Sequence, residues 1–299
     1  MKKVKLFFRF LLAICLLPIV RLANGMIAAL RGGTVLKQAI RTTSEGLQTA
    51  VVVYSKPDQD QEVVLVGMIH VAEERFFRTV LTMLDAVESL GGAVVYEGVG
   101  RPTPEQMAGL TQEEAAVFRM FEQMFNAQRA MAKSAGLVYQ KDALPLKDSW
   151  INADVPLLET VRQMLKRNLV KYMFGMLHGT EVRLLVKDDL DPMAEFVADV
   201  LFRNVHLMSL LYLPVFLLPK VRNMKRLILD ERNVAGFQGI MEALKCHDQV
   251  ISTWGAAHLS GIGKMLEQEG FAVTGTTWNT VYRYRNFGLA DLREAMKRS

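Results

Sequence analysis

Two short stretches of the chain repeat one pattern of residue types: GMIH, from Gly67 to His70, and GAAH, from Gly255 to His258. Each lies at the end of an apolar run of β-forming residues. A glycine there lets the backbone turn sharply. The histidine then stands where a strand gives way to a helix. Neutral imidazole is the commonest metal-ligating side chain, and two facing imidazoles invite a third, anionic donor. Glu97 in the run VVYEGV is such a donor, placed just after four apolar residues. Burying that carboxylate unpaired is costly, and a metal or an arginine would offset the cost. The chemistry expected of His70, Glu97 and His258 together is that of a divalent ion activating water. His and carboxylate donors suit zinc, manganese, cobalt and iron alike. Taken singly, each residue has a plainer reading, as a core histidine, a helix cap or an ion-pair partner. The doubled Gly-x-x-His in matching contexts is what favours a site. His178, His206 and His247 lie in or beside helical patterns and read as structural.

The elements that must position these residues follow from periodicity. AVVVY (50–54) and EVVLVG (62–67) read as strands joined by the hairpin turn SKPDQDQ. Phe76, Phe77, Val80, Leu81, Leu84 and Val87 recur at helical spacing, and Gly91 and Gly92 end that helix. AVVYEG (93–98) is a third strand, which makes a parallel strand–helix–strand crossover. Residues 32–50 read as a polar linker. Residues 101–245 read as mostly helical. Thr111 with Glu114 forms a capping box before a helix to about Ser134. Asp154, as N-cap before Pro156, opens another helix, and Asp191 with Pro192 a third. LDERNVAGFQGIMEALK is helical, Val250 to Trp254 is a strand, and a helix runs from near Gly261 to Gly270. FAVTG and TVYRY supply closing strands. The expected fold class is α/β, with a small mixed or parallel central sheet built from two related halves. These halves are about 50–100 and 231–285, with a helical insertion of about 101–230 between them. In such sheets ligands bind outside the carboxyl ends of the strands, where both histidines would stand.

With 299 residues, 51% hydrophobic and 22% charged, the chain can bury a sizeable core and is not a disordered one. Its net charge is +5, yet no basic stripe with interleaved aromatics marks a nucleic-acid module. The surplus gathers beside the two most apolar stretches. Lys2, Lys3, Lys5, Arg9, Arg21 and Arg31 surround the run from Phe10 to Val20, and Lys220, Arg222, Lys225 and Arg226 follow residues 205–219. That placement favours a membrane lipid surface. The first run is shorter than the ~20 residues of a membrane span. It suits a signal-peptide core with a weak small-x-small site at Ala23 and Gly25, or a basic helix lying in the interface. Retained attachment through residues 1–31, as a signal anchor or in-plane helix, is the expectation, with residues 32–299 as a single domain. Residues 205–219, broken by Pro214, read as a buried helical hairpin or one dipping into lipid. Cys15 and Cys246 read as unpaired thiols and leave the compartment open.

With these motifs assembled, the chain resembles the TraB/GumN/Tiki superfamily, in particular its bacterial TraB/GumN-type members. The carrying residues are GMIH, YEGV with Glu97, ERN from Glu231 to Asn233, and GAAHLSGIGKMLEQEGF from Gly255 to Phe271. The resemblance spans about residues 50–285, with the central helices matching loosely and the first 45 residues not at all. It implies two related α/β halves around a small sheet. It also implies a divalent metal ion, manganese, cobalt or zinc, held by His70, Glu97 and His258, with Gly67 and Gly255 framing the site. Arg232 and Asn233 would face the same cleft, Arg232 stabilising an oxyanion. Glu97 is a ligand or, with another third ligand, the general base. Asp154 is a weaker candidate. The animal Tiki members are membrane-tethered metal-dependent proteases, which makes a membrane-associated metal-dependent hydrolase, most simply a peptidase with a peptide or protein substrate, the first expectation. The alternatives are a pocket holding haem or another ligand without turnover, and a membrane scaffold with a vestigial pocket.

Overall fold

The computed structural model describes residues 39–170, apart from 44, 45, 99 and 101, together with 223 and 225–283. The apolar stretches 1–31 and 205–219, the Asp191–Pro192 helix start, His178, His206 and Cys15 lie outside the described residues.

Strand β1 (Ile40–Thr42) leads into β2 (Gly46–Ser55), which pairs antiparallel with β3 (Glu62–Met68) from Val51↔Val66 to Ser55↔Glu62. The hairpin is thus formed as its turn residues predict. The linker expected over 32–50 is instead largely strand from Ile40 onward, because β2 reaches back along two partners. After β3 comes a two-residue strand, β4 (Val71–Ala72), then helix α1 (Glu74–Ser89). Helix α1 buries Phe76, Phe77, Val80 and Leu84, each worth about 1.5–3 kcal/mol of apolar transfer. Strand β5 (Ala93–Tyr96) follows, then α2 (Pro104–Ala108) and the long α3 (Gln112–Ser134). The capping box is present: Thr111 N–H donates to Glu114 Oε2 at 2.8 Å, and Glu114 N–H to Thr111 Oγ1 at 3.2 Å. Strand β6 (Val138–Tyr139), α4 (Gln140–Ala143), β7 (Ile151–Asn152) and α5 (Leu157–Lys166) complete this part. The chain resumes with a π-helical turn (Arg226–Asp230), α6 (Glu231–Ala243), β8 (Gln249–Gly255), α7 (Leu259–Gln268) and β9 (Ala272–Arg283). FAVTG and TVYRY are therefore one strand, not two. Strand β2 offers a backbone partner along its whole length, and β9 follows it across two register shifts.

The protein is α/β with a mixed, largely parallel sheet of seven strands. Its parallel part runs β3, β8, β5, β7. Strand β8 enters the slot between the two strands of the β3–α1–β5 crossover. Helix α1 covers one face, packing with Val66, Val94 and Ile251. Helices α6 and α7 cover the other, where Ile240, Ile262 and Leu266 pack with Leu65, Val95 and Trp254. A third apolar cluster joins α3, α5 and Leu227 of the π-turn.

Candidate functional site

The register aligns the carboxyl ends of the parallel strands: Met68 lies opposite Gly255, Tyr96 opposite Thr253, and Tyr96 opposite Asn152. The chain leaving each strand brings one side chain to that edge. His70 follows β3, His258 follows β8, Glu97 follows β5 and Asp154 follows β7. Helix α6 adds Arg232 and Asn233 from its first turn, just after the π-turn. Such turns shift helical register and are frequent at functional sites.

Arg232 holds the carboxylates. Its Nε donates to Asp154 Oδ1 at 2.8 Å and its Nη2 to Asp154 Oδ2 at 2.7 Å. Nη2 also donates to Glu97 Oε1 at 2.5 Å, and the Gly255 N–H donates to Glu97 Oε2. The Asp154 side chain is fully buried, and those of Glu97 and Arg232 are each 13% exposed. Of the two remedies for burying Glu97, an arginine is present. Asp154 does not act as the N-cap expected of it: the cap position of α5 is Pro156 and makes no side-chain cap bond. A buried guanidinium needs a matched carboxylate more than an exposed helix end needs a cap.

His258 is 4% exposed. Its Nδ1 lies 2.7 Å from Asn233 Oδ1. A carboxamide oxygen only accepts, so Nδ1 carries the proton and Nε2 presents a lone pair. Nε2 stands 3.7 Å from Glu97 Oε1, too far for a hydrogen bond. The Trp254 ring meets the imidazole edge-on at 5.3 Å. Burial pushes the His258 pKa down, Glu97 opposes this, Arg232 reinforces it, and the net shift is downward. Burial pushes the Glu97 carboxyl up, but Arg232, His258, the Gly255 N–H and His70 together hold it below the usual carboxylate range. At neutral pH an uncharged imidazole lone pair therefore faces an ionised carboxylate.

Close approach fixes this arrangement. A Cβ on Gly255 would lie 3.1 Å from Glu97 Oε2, and one on Gly261 would lie 2.1 Å from Asn233 Nδ2. Gly67 lies one strand over, where a Cβ would meet the Ala50 carbonyl oxygen at 3.0 Å and Leu259 at 3.2 Å. It serves the packing of β3 against β2 and α7.

The two Gly-x-x-His copies are not equivalent. His258 is buried at the start of α7, whereas His70 is exposed and leads into β4 before any helix begins. His70 Nδ1 lies 3.3 Å from Gln140 Oε1, and the ring is near enough to act electrostatically on both Glu97 and His258. Thus the structure brings His258, Glu97, Arg232 and Asn233 into one network, adds Asp154, and sets His70 at its border. Among the described residues no group of three or more His, Cys, Asp or Glu side chains is already arranged to hold a metal. His247 is half-buried, with Nδ1 2.8 Å from the Gly91 carbonyl oxygen, and Cys246 is a free, exposed thiol. The contact of Gln140 with His70 carried no signal in the sequence, because it depends on a pairing between two-residue strands.

Fold and site define an α/β protein with a charged, largely buried cluster of side chains at the carboxyl edge of its parallel strands. No family model, no curated protein and no solved structure matches the chain.

Proposed function

We propose that the chain is a metal-dependent hydrolase of the TraB/GumN kind, attached to a membrane surface and acting on peptide bonds. The observation that carries this reading is the His258 Nε2 lone pair facing Glu97 Oε1 at 3.7 Å. Two electron-rich atoms at that separation repel unless a cation lies between them, and bonds of ~2.0–2.2 Å to each would span it. Charge agrees. One guanidinium is shared by two carboxylates beside a neutral imidazole, which leaves the network one negative charge in excess. His258 and Glu97 would hold the ion, with His70 as the third donor. When bound, the ion would supply Lewis-acid polarisation of the scissile carbonyl and lower the pKa of bound water.

The residues of the chain prepare the rest. Asn233 fixes the His258 tautomer, as partners of metal-ligating histidines do. Arg232 keeps Glu97 ionised. With its Nε and Nη2 engaged, Nη1 is the nitrogen left to meet an oxyanion. If another residue supplied the third ligand, Glu97, ionised, would serve instead as the general base. Membrane attachment rests on the basic residues flanking Phe10 to Val20.

The test is metal content and cleavage in purified full chain against the double variant His70→Ala/His258→Ala. The wild type should retain a divalent ion and cleave unstructured peptides, and the double variant should lose both. Equal metal content in the two proteins defeats the proposal. A haem-type absorption band without cleavage would favour a binding protein instead.

A further inference from the structure

We propose that Gln140 is a positioning residue for His70, doing for that imidazole what Asn233 does for His258; the inference rests on the metal-site reading above. The two-stranded sheet carries the argument. Val71 pairs with Tyr139 and Ala72 with Val138, antiparallel. One step further along that register sets His70 opposite Gln140. The ladder continues there, since the Gln140 N–H donates to the His70 carbonyl oxygen at 2.7 Å. Across the same pair the side chains meet, His70 Nδ1 lying 3.3 Å from Gln140 Oε1. The logic is that of His258. A carboxamide oxygen can only accept, so it places the proton on Nδ1 and frees the Nε2 lone pair.

Each histidine of the doubled motif thus meets a carboxamide oxygen through Nδ1, at 2.7 Å from Asn233 and 3.3 Å from Gln140. The fold reaches this by unlike routes. His258 is held in the core by a helix, and exposed His70 by a sheet whose described pairing is two residues long. Gln140 is itself braced. Tyr139 before it is buried, and Arg129 of α3 forks onto Asp142 two residues after it, at 2.8 and 2.7 Å. A neutral carboxamide also leaves uncharged the partner of an imidazole that acts on Glu97. The small sheet therefore has a purpose beyond packing: it registers an exposed imidazole and selects its tautomer.

The test uses metal-free full chain labelled with 15N in its histidine rings, read at about pH 8 where ordinary imidazoles are neutral, and the variant Gln140→Met. Methionine keeps the reach and the backbone hydrogen bond but offers no amide oxygen. In the wild type the His70 and His258 rings should both show the Nδ1–H form. In Gln140→Met, His70 alone should move toward the Nε2–H form. Cobalt(II) affinity, read by visible absorption, should fall about 10–100-fold. A wild-type His70 already in the Nε2–H form overturns the proposal without any variant. So does a Gln140→Met protein with unchanged His70 shifts or unchanged cobalt affinity. If the tautomers behave as expected but the wild type takes up no cobalt, Gln140 still positions His70 and the metal reading is what fails.

Discussion

Arg232 is shared by two carboxylates whose charges it cannot both cancel, and this sets the energetics of the buried cluster. Replacing it by methionine would leave Glu97 and Asp154 buried without their cation. Removing one partner of a buried pair costs about 3–5 kcal/mol. Arg232→Met should therefore lower the unfolding free energy read from urea melts by that much, and Asp154→Asn by less than half as much, because Glu97 still pairs with the arginine. Equal losses would show that Asp154, not Glu97, holds Arg232 in place. Acid should act in the same direction. His258 is faced by Glu97, Asp154, Arg232 and His70, and its pKa lies below its ordinary 6.5; that of Glu97 lies below its ordinary 4.5. In both cases the unfolded chain takes up its proton at a higher pH than the folded one. Stability is then full above pH 6.5, begins to fall as His258's reference state protonates, and falls again below 4.5 as that of Glu97 does. Melting temperature followed from pH 8 downward should decline in that order, and a rise between pH 7 and 5 would contradict the depressed imidazole. Residue chemistry was partly legible in the sequence. His258 stood out through the doubled Gly-x-x-His pattern, and Glu97 because a carboxylate ending an apolar run needs a partner. Asp154 looked like a cap because Pro156 and a helix follow it, and nothing local distinguishes that setting from a buried ion pair.

Elements place these side chains by approaching closely, and the tightest approach is between the first turns of α6 and α7. A Cβ at Gly261 would overlap Asn233 Nδ2 at 2.1 Å. Gly261→Ala should therefore push Asn233 off His258, costing about 1–3 kcal/mol as an overpacked core site and releasing the Nδ1 proton. The control is Gly109→Ala at the exposed end of α2, where the nearest atom would be 3.7 Å away and the change should stay within about 0.5 kcal/mol. Denaturant melts of both variants, with ring 15N shifts of His258, check the pair; an unshifted His258 in Gly261→Ala would mean that Asn233 does not set its tautomer. The same scale explains which elements the sequence revealed. Helices α1 and α3 and strands β2, β3, β5 and β8 carry enough residues for a period or an apolar run to be seen. Strands β4, β6 and β7 have two residues each, too few for any period, and exist only because another segment pairs with them. The site depends on just those short pieces: β7 delivers Asp154, while β4 and β6 set His70 against Gln140.

At the scale of the whole molecule, the two related halves expected from the doubled motif do not sit side by side. They interleave. Strand β8 bonds in parallel to β3 from Glu62↔Gln249 to Met68↔Gly255, and on its other edge to β5 from Ala93↔Val250 to Tyr96↔Thr253. Strand β9 then covers β2 along Gly46 to Ser55. The sequence announced the strands but not this order, since pairing is decided by the slot that the β3–α1–β5 crossover leaves open. Interleaving makes the first part of the chain dependent on the last. A chain ending at residue 222 keeps β3 and β5 but leaves both edges facing the slot unpaired. It also loses Trp254, Ile262 and Leu266 from the core on one face. Such a fragment should show no cooperative urea transition and poorly dispersed amide resonances. Residues 223–299, supplied as a second chain, should restore both, together with the Arg232–Glu97 contact across the cut. Restoration should be slow, because every contact regained joins segments far apart in sequence and parallel pairing of that kind forms late. A 1–222 fragment that unfolds cooperatively by itself would mean that the first half carries its own sheet, with β8 an addition to it and not its centre.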